Sequence, residues 1–176
     1  MSRRQPQHRC GVCLMRREFC LCANIATTKA ELLAVQTRVI VLMHHREEKL
    51  PTNTARLANL ILPKCEIRLR GQKDQPLDTS DLASADKNTF LLFPSDNSIV
   101  LTKEKMSGPI TLVVPDGSWR QASKVAKRES SLAGLTKVML PPDGPVTQYQ
   151  LRSEPKPGGL ATFEAIARSL GLIENE

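Results

Sequence analysis

Aromatic residues are scarce in this sequence, with four Phe, one Trp and one Tyr among 176 residues. The core must then come from Leu, Ile, Val and Ala, because 40% of the chain is hydrophobic. Long apolar runs are missing too. No stretch approaches the roughly 18 consecutive apolar residues of a membrane-spanning helix, so no membrane partner is expected. The N-terminus is basic, but no apolar segment follows it. That argues against a secretory leader and for a cytoplasmic chain with reduced thiols. Internal repeats and low-complexity tracts are also lacking. The length suits one domain with a small appendage.

Lys and Arg number 25 against 18 acids, a net charge of +7. The excess is unevenly placed. Arg3, Arg4, Arg9, Arg16 and Arg17, opposed only by Glu18, give the first 22 residues a charge of +4. This clustering favours a polyanionic partner, nucleic acid or an anionic membrane surface, without deciding between them.

The chain divides near residue 30 into a Cys- and Arg-rich segment (1–30) and a longer domain (31–176). In the domain, short apolar runs alternate with helix-like stretches. Arg38–Met43, Glu66–Leu69, Phe90–Phe93, Ile110–Val114 and Lys137–Leu140 read as strands, with Pro94 and Pro115 ending two of them. Pro51-Thr52-Asn53-Thr54 precedes a helix that Pro63 stops. Residues 71–88 are polar and read as a connection with a helical turn around Ser80–Ala85. A helix is expected over Trp119–Arg128, and a last one carries Phe163, Ile166, Ala167 and Leu170, with Gly171 as its terminator. Continuously apolar strands suit a mostly parallel sheet with helices on both faces, an α/β fold. Ligands of such folds sit outside the carboxyl ends of the strands, which marks the loops after Phe93, Val114 and Leu140.

Cys10, Cys13, Cys20 and Cys22 form C-x2-C-x6-C-x-C. Four thiolates in this spacing match a closed structural zinc site. An iron–sulfur cluster takes the same ligands, and disulfides are the remaining alternative. Cys65 stands alone and reads as a small buried hydrophobe.

Pro115-Asp116-Gly117-Ser118-Trp119 joins a buried strand to a helix. Gly117 permits a tight turn, Ser118 can cap the helix, and Asp116 places a carboxylate at a strand end. Trp119, the sole Trp, offers a stacking face. Behind it Arg120, Lys124, Lys127 and Arg128 form a basic stripe, read either as a solvated face or as a phosphate-tracking surface.

Together these pieces resemble the DTW-domain family, whose Asp-x-Thr-Trp motif stands here as Asp116-Gly117-Ser118-Trp119. Three further blocks agree in order. They are the Cys cluster, Pro51-Thr52-Asn53-Thr54-Ala55-Arg56-Leu57, and Tyr149-Gln150-Leu151-Arg152 followed by Ala161-Thr162-Phe163-Glu164-Ala165. Ser118, Ala55 and Ala161 replace the usual Thr, Gly and Ser. The resemblance implies a fold related to the SPOUT methyltransferases, with a C-terminal trefoil knot that holds the cofactor. It implies transfer of the 3-amino-3-carboxypropyl group from S-adenosylmethionine to N3 of a tRNA uridine. Some members continue past the last helix, so a further C-terminal element is an expectation. The chain is expected to be a monomer or a homodimer.

On this reading Asp116 is the candidate catalytic residue, as general base or as the group orienting uridine N3–H. Phe93, Pro94, Asp116, Gly117, Trp119, Tyr149, Leu151, Arg152 and Thr162 are candidates for the donor site, with Arg152 placed to pair with the donor carboxylate. Asn53, Thr54, Arg56, Arg120, Lys124, Lys127 and Arg128 are candidates for RNA contact. Modification of rRNA, transfer of a methyl group, and a non-catalytic zinc-containing RNA-binding module are the alternatives.

Overall fold

The computed structural model describes residues 8–82, 88–102, 108–151 and 158–174. Arg152, Arg3, Arg4 and the later part of the expected turn around Ser80–Ala85 lie outside the described residues. The elements are α1 (Cys22–Glu31), β1 (Arg38–His44), α2 (Ala55–Ile61), β2 (Cys65–Arg70), β3 (Thr89–Leu92), β4 (Ile99–Val100), β5 (Thr111–Asp116), α3 (Trp119–Ala122), α4 (Val125–Arg128), β6 (Thr136–Met139) and α5 (Thr162–Ile173).

The strands form one sheet in the order β2-β1-β5-β3-β6-β4, and all neighbours run parallel. Two late strands insert between earlier ones: β5 enters between β1 and β3, and β6 between β3 and β4. The apolar runs have the expected cause. Val39, Val41 and Met43 of β1 join Leu112 and Val114 of β5 on one face, against Ala55, Ala58, Ile166, Leu170 and Ile173 of α2 and α5. Ile40 and Leu42 join Leu91 and Val113 on the other, against Val125 and Leu132. With both faces covered, no position in mid-β1 is left for a polar residue. Ile166 is fully buried, and truncating such a residue to Ala costs roughly 2–5 kcal/mol.

Three local expectations need correction. First, β5 does not end at Pro115; it runs on, pairing Leu42 with Pro115 and Met43 with Asp116. Pairing with β3 has stopped at Val113, so one edge of β5 is open there, where a proline is tolerated. Second, the Trp119–Arg128 helix is two short pieces. The Ser123 hydroxyl donates back to Arg120 O (3.3 Å) and Lys124 N–H bonds to Gln121 O, a tightening that breaks the helix. Third, Gly171 does not terminate α5, which continues to Ile173. Buried Ile173 and the Glu174 carboxylate, which accepts from Thr37 N–H at 2.7 Å, pull the last turn onto the body. The segment after the cysteine turn folds into α1, which opens at Cys22.

Candidate functional site

A cavity of about 1100 Å³ lies at the carboxyl ends of β3, β5 and β6. These are the three strand ends marked from the sequence. Ligand cavities commonly measure about 300–1,000 Å³, so this one has room for a nucleoside-sized ligand. Leu92, Phe93, Val114, Met139, Leu140, Leu160 and Leu172 give it a largely apolar wall. Phe93 and Trp119 meet with ring centroids 5.9 Å apart and planes tilted by 58°.

Asp116 is the last residue of β5, lines this cavity, and is only 4% exposed. Asn53 Nδ2 donates to its Oδ2 at 2.6 Å, and the Thr162 hydroxyl donates to its Oδ1 at 2.6 Å. One carboxylate thereby ties together the loop before α2, the end of β5 and the start of α5. Neutral donors of this kind favour the charged form of a carboxylate.

The turn after Asp116 depends on Gly117. Its φ is +145°, and a Cβ there would sit 2.9 Å from Gln121 Oε1 and 3.4 Å from His44 Cβ. Ser118 and Gln121 close a capping box at the start of α3, with Ser118 N–H bonding Gln121 Oε1 at 2.8 Å. The box fixes the direction in which Trp119 enters the cavity wall.

Of the expected donor residues, Phe93, Pro94, Asp116, Gly117, Trp119, Tyr149 and Thr162 all line the cavity. Tyr149 also donates its hydroxyl to Thr52 O at 2.8 Å. Leu151 does not line it; it is exposed and borders a separate groove. Arg152 lies outside the described residues.

The expected RNA residues separate into two groups. Asn53 is buried on Asp116, and Thr54 accepts from Phe163 N–H at 3.2 Å, capping α5 from another segment. Arg56 turns its guanidinium to Glu48 O. These three build the site from within. Arg120, Lys127 and Arg128 are exposed, Lys124 is half-buried, and all four follow directly on the Trp119 wall.

Sequence reasoning missed several site residues. Arg168 of α5 lines the cavity, donates to Pro145 O at 2.5 Å and pairs with Glu164 at 3.1 Å. Glu164 in turn accepts from the Thr147 hydroxyl. Their i, i+4 spacing on α5 was readable; their target, the loop after β6, was not. At the ends of β1 and β2, burial pushes His44 below its ordinary value, reinforced by His45 and then Arg70. Burial also lowers Arg70, which donates to Gln121 O at 2.6 Å and so supports α3.

The four cysteine sulfurs lie within 4.8 Å of one another, Cys10–Cys22 at 3.5 Å and Cys13–Cys20 at 3.9 Å. A tetrahedral ion with metal–sulfur bonds of about 2.3 Å requires sulfurs about 3.8 Å apart, so the set fits one metal ion. The turn at 10–16 is folded for this. Leu14 takes a positive φ, Leu14 N–H bonds Cys10 O at 3.1 Å, and an antiparallel bridge joins Arg9 to Arg16. Backbone N–H groups of Cys13 and Val12 draw the Cys10 thiol down to about 6, while the hydrogen bond with Cys10 pushes the Cys22 thiol up to about 12, so the two share one proton unequally. Cys65 instead packs partly buried against the core, and burial pushes its thiol up to about 12. No helix among the described residues is long and apolar enough to cross a membrane.

The family model described as DTW domain matches residues 7–176, from just before the cysteine cluster to the end of α5 and beyond. The chain belongs to the DTW domain family. Among curated DTW relatives, tRNA-uridine aminocarboxypropyltransferase 2 of Drosophila melanogaster is 32% identical over 147 residues, covering 81% of this chain and 58% of that protein. The Mus musculus protein of the same name is 26% identical over 180 residues, covering 98% of this chain and 58% of its own. tRNA-uridine aminocarboxypropyltransferase A of Arabidopsis thaliana is 28% identical over 193 residues, covering 94% of this chain and 72% of its own. The chain thus spans 58% of the length of the first two relatives. No solved structure matches it.

Proposed function

We propose that this chain is a cytoplasmic enzyme that transfers the 3-amino-3-carboxypropyl group of S-adenosylmethionine to N3 of a uridine in tRNA, releasing methylthioadenosine. The observation that carries the reading is the buried Asp116, held by Asn53 and Thr162 on the wall of a large apolar cavity. The names of the DTW relatives supply the group and the acceptor.

The residues present suit such a donor. The Phe93 and Trp119 rings and the leucines after β3 and β6 offer apolar surface for an adenosyl moiety, and Arg168 offers a positive charge for the carboxylate of an amino-acid end. When bound, the sulfonium supplies an electrophilic γ-carbon. The chain's part is to hold the acceptor in line and to favour that carbon over the methyl by position. Uridine N3 must lose its proton as the N–C bond forms and the C–S bond breaks. Asp116 is the acceptor for N3–H, fixed from two sides. The low-dielectric walls exclude water from the reacting pair.

N3 lies on the pairing edge of the base, so the uridine must be unstacked and unpaired to react. Exposed Arg120, Lys127 and Arg128, just beyond Trp119, suit the phosphates around it. The cysteine cluster holds a structural zinc in this proposal, because all four ligands are protein sulfurs. A trefoil knot around the donor site belongs to it as well, supported by the insertion of β5 and β6 between earlier strands.

The test is incubation with bulk tRNA and donor labelled separately in the carboxypropyl and methyl groups. The carboxypropyl label is expected in the tRNA. A methyl label alone, or no label from a zinc-loaded chain that binds donor, would overturn the proposal.

A further inference from the structure

A second cavity, of about 930 Å³, lies outside the site described above, between the cysteine turn and the loop that leads into α2. Three features of it are unusual for this chain. Arg9, Arg16 and Arg17 border it against a single acid, Glu18. Phe19, one of four phenylalanines, borders it at 61% exposure, where burial would be the default for so scarce an apolar ring. Leu151, also exposed, faces the same space from the far side.

The groove adjoins the candidate active site. Thr52 lines both cavities, and its carbonyl receives the hydroxyl of Tyr149, which lines the first. One segment therefore separates the two spaces as a shared wall. Arg16 and Arg17 are exposed, whereas Arg9 is half-buried and already donates to Leu14 O at 3.0 Å. Arg16 pairs with Glu18 at 2.9 Å, with both side chains more than half exposed. Such surface pairs contribute little and exchange readily for another anion.

Exposed guanidinium groups beside an exposed aromatic ring match the chemistry of a single-stranded nucleotide. The phosphate meets arginine and the base stacks on the ring. A hydrophobic peptide would use Phe19 and Leu151 but would leave the arginines idle. We infer that this groove binds an unpaired tRNA nucleotide flanking the target uridine, stacking its base on Phe19 and holding its phosphate with Arg17 and Arg16. The inference rests on the reading of tRNA as substrate. The metal-binding turn then has a purpose beyond its own stability, because it presents Phe19 and the arginines at a fixed distance from the Asp116 cavity.

The experiment uses the zinc-loaded full chain and a transcribed tRNA. Affinity is measured for wild type, Phe19→Leu, Phe19→Trp and Arg17→Gln, and contacts are mapped by photocrosslinking to 4-thiouridine-substituted tRNA. Phe19→Leu keeps an apolar side chain but removes the stacking face, and is expected to weaken binding about tenfold. Phe19→Trp should restore it. Arg17→Gln should lower the slope of log affinity against log salt by about one. Crosslinks should fall within residues 8–19. Zinc content and donor binding should match wild type; if Phe19→Leu loses zinc, Arg17→Gln and the crosslinks decide. Wild-type affinity and salt slope in these variants, with crosslinks elsewhere, would overturn the inference, and a peptide-binding groove would give that result. Unchanged transfer with wild-type KM in every variant sinks the groove and leaves the transferase standing. Groove crosslinks and the variant losses without any transfer by wild type do the reverse.

Discussion

Acidic residues at the two ends of the parallel sheet are held by different kinds of partner. Toward the amino ends, Asp81 is gripped by Arg68 at 2.7 Å and Arg38 at 2.9 Å, and Glu66 joins the same cluster through Arg68 Nε at 2.8 Å. There charge meets opposite charge on a half-exposed surface. At the carboxyl end, Asp116 is buried and fixed by an amide and a hydroxyl, both neutral. The first arrangement fastens the loop that carries Asp81 against β1 and β2. The second holds Asp116 on a cavity wall by hydrogen bonds from neutral groups, with the Arg70 charge acting on it from farther off. Burial of a charge is costly, and it persists here because two short hydrogen bonds support it.

The sharpest way to break this contrast is Asp116→Asn. An Asn53 amide flip can keep the hydrogen bond to position 116 and gives up only the long one from Arg56 N–H to Asn53 Oδ1 (3.4 Å), so the fold should survive while transfer falls by at least about 100-fold. Circular dichroism and a transfer assay read the two halves of that expectation. Removal of the metal comes next. Cys10→Ser or a strong chelator should release about one zinc per chain and unfold the turn at 10–22, with the α/β body still melting cooperatively. Metal analysis and a thermal scan check it. Thr162→Val removes one of the two donors to Asp116. It should lower stability by roughly 1–3 kcal/mol and slow transfer without abolishing it; Thr162→Ser should recover both.

The smallest effect belongs to the amino end. Hydrogen bonding from Arg68 holds the Asp81 carboxyl well below the usual carboxylate range. Its contribution is therefore complete above about pH 4, the unfolded value, and is lost as pH falls toward the depressed folded value. The thermal midpoint of wild type should drop more between pH 5 and pH 3 than that of Asp81→Asn. The pair is exposed, so the difference should be slight. Asp81→Asn should leave transfer untouched, in contrast to Asp116→Asn.

What was legible in the sequence follows from the same physics. β1, β3, β5 and β6 stood out because strands covered on both faces need unbroken apolar runs. The strand ends then located the cavity, and the Asp-Gly-Ser-Trp turn located Asp116. α1 was invisible because none of its residues is buried, so it has no apolar stripe to read. β4 is two exposed residues at the sheet edge. Asn53, Thr54 and Arg56 look like surface polar residues in the sequence, yet each bonds a segment distant in the chain or a local carbonyl. Only the tertiary fold reveals those partners. Arg168 and Glu164 were hidden for the same reason: their target is the loop after β6, whose path no local pattern encodes.

Asp116, held by Asn53 and Thr162, is central to the proposed chemistry, at the place where a carboxypropyl group would reach uridine N3. The most direct test is nucleoside mass spectrometry of bulk tRNA after incubation with S-adenosylmethionine and either wild type or Asp116→Asn, with donor binding measured for both. N3-modified aminocarboxypropyluridine is expected with wild type, and almost none with Asp116→Asn at comparable donor affinity. Equal product from the two proteins would contradict that role.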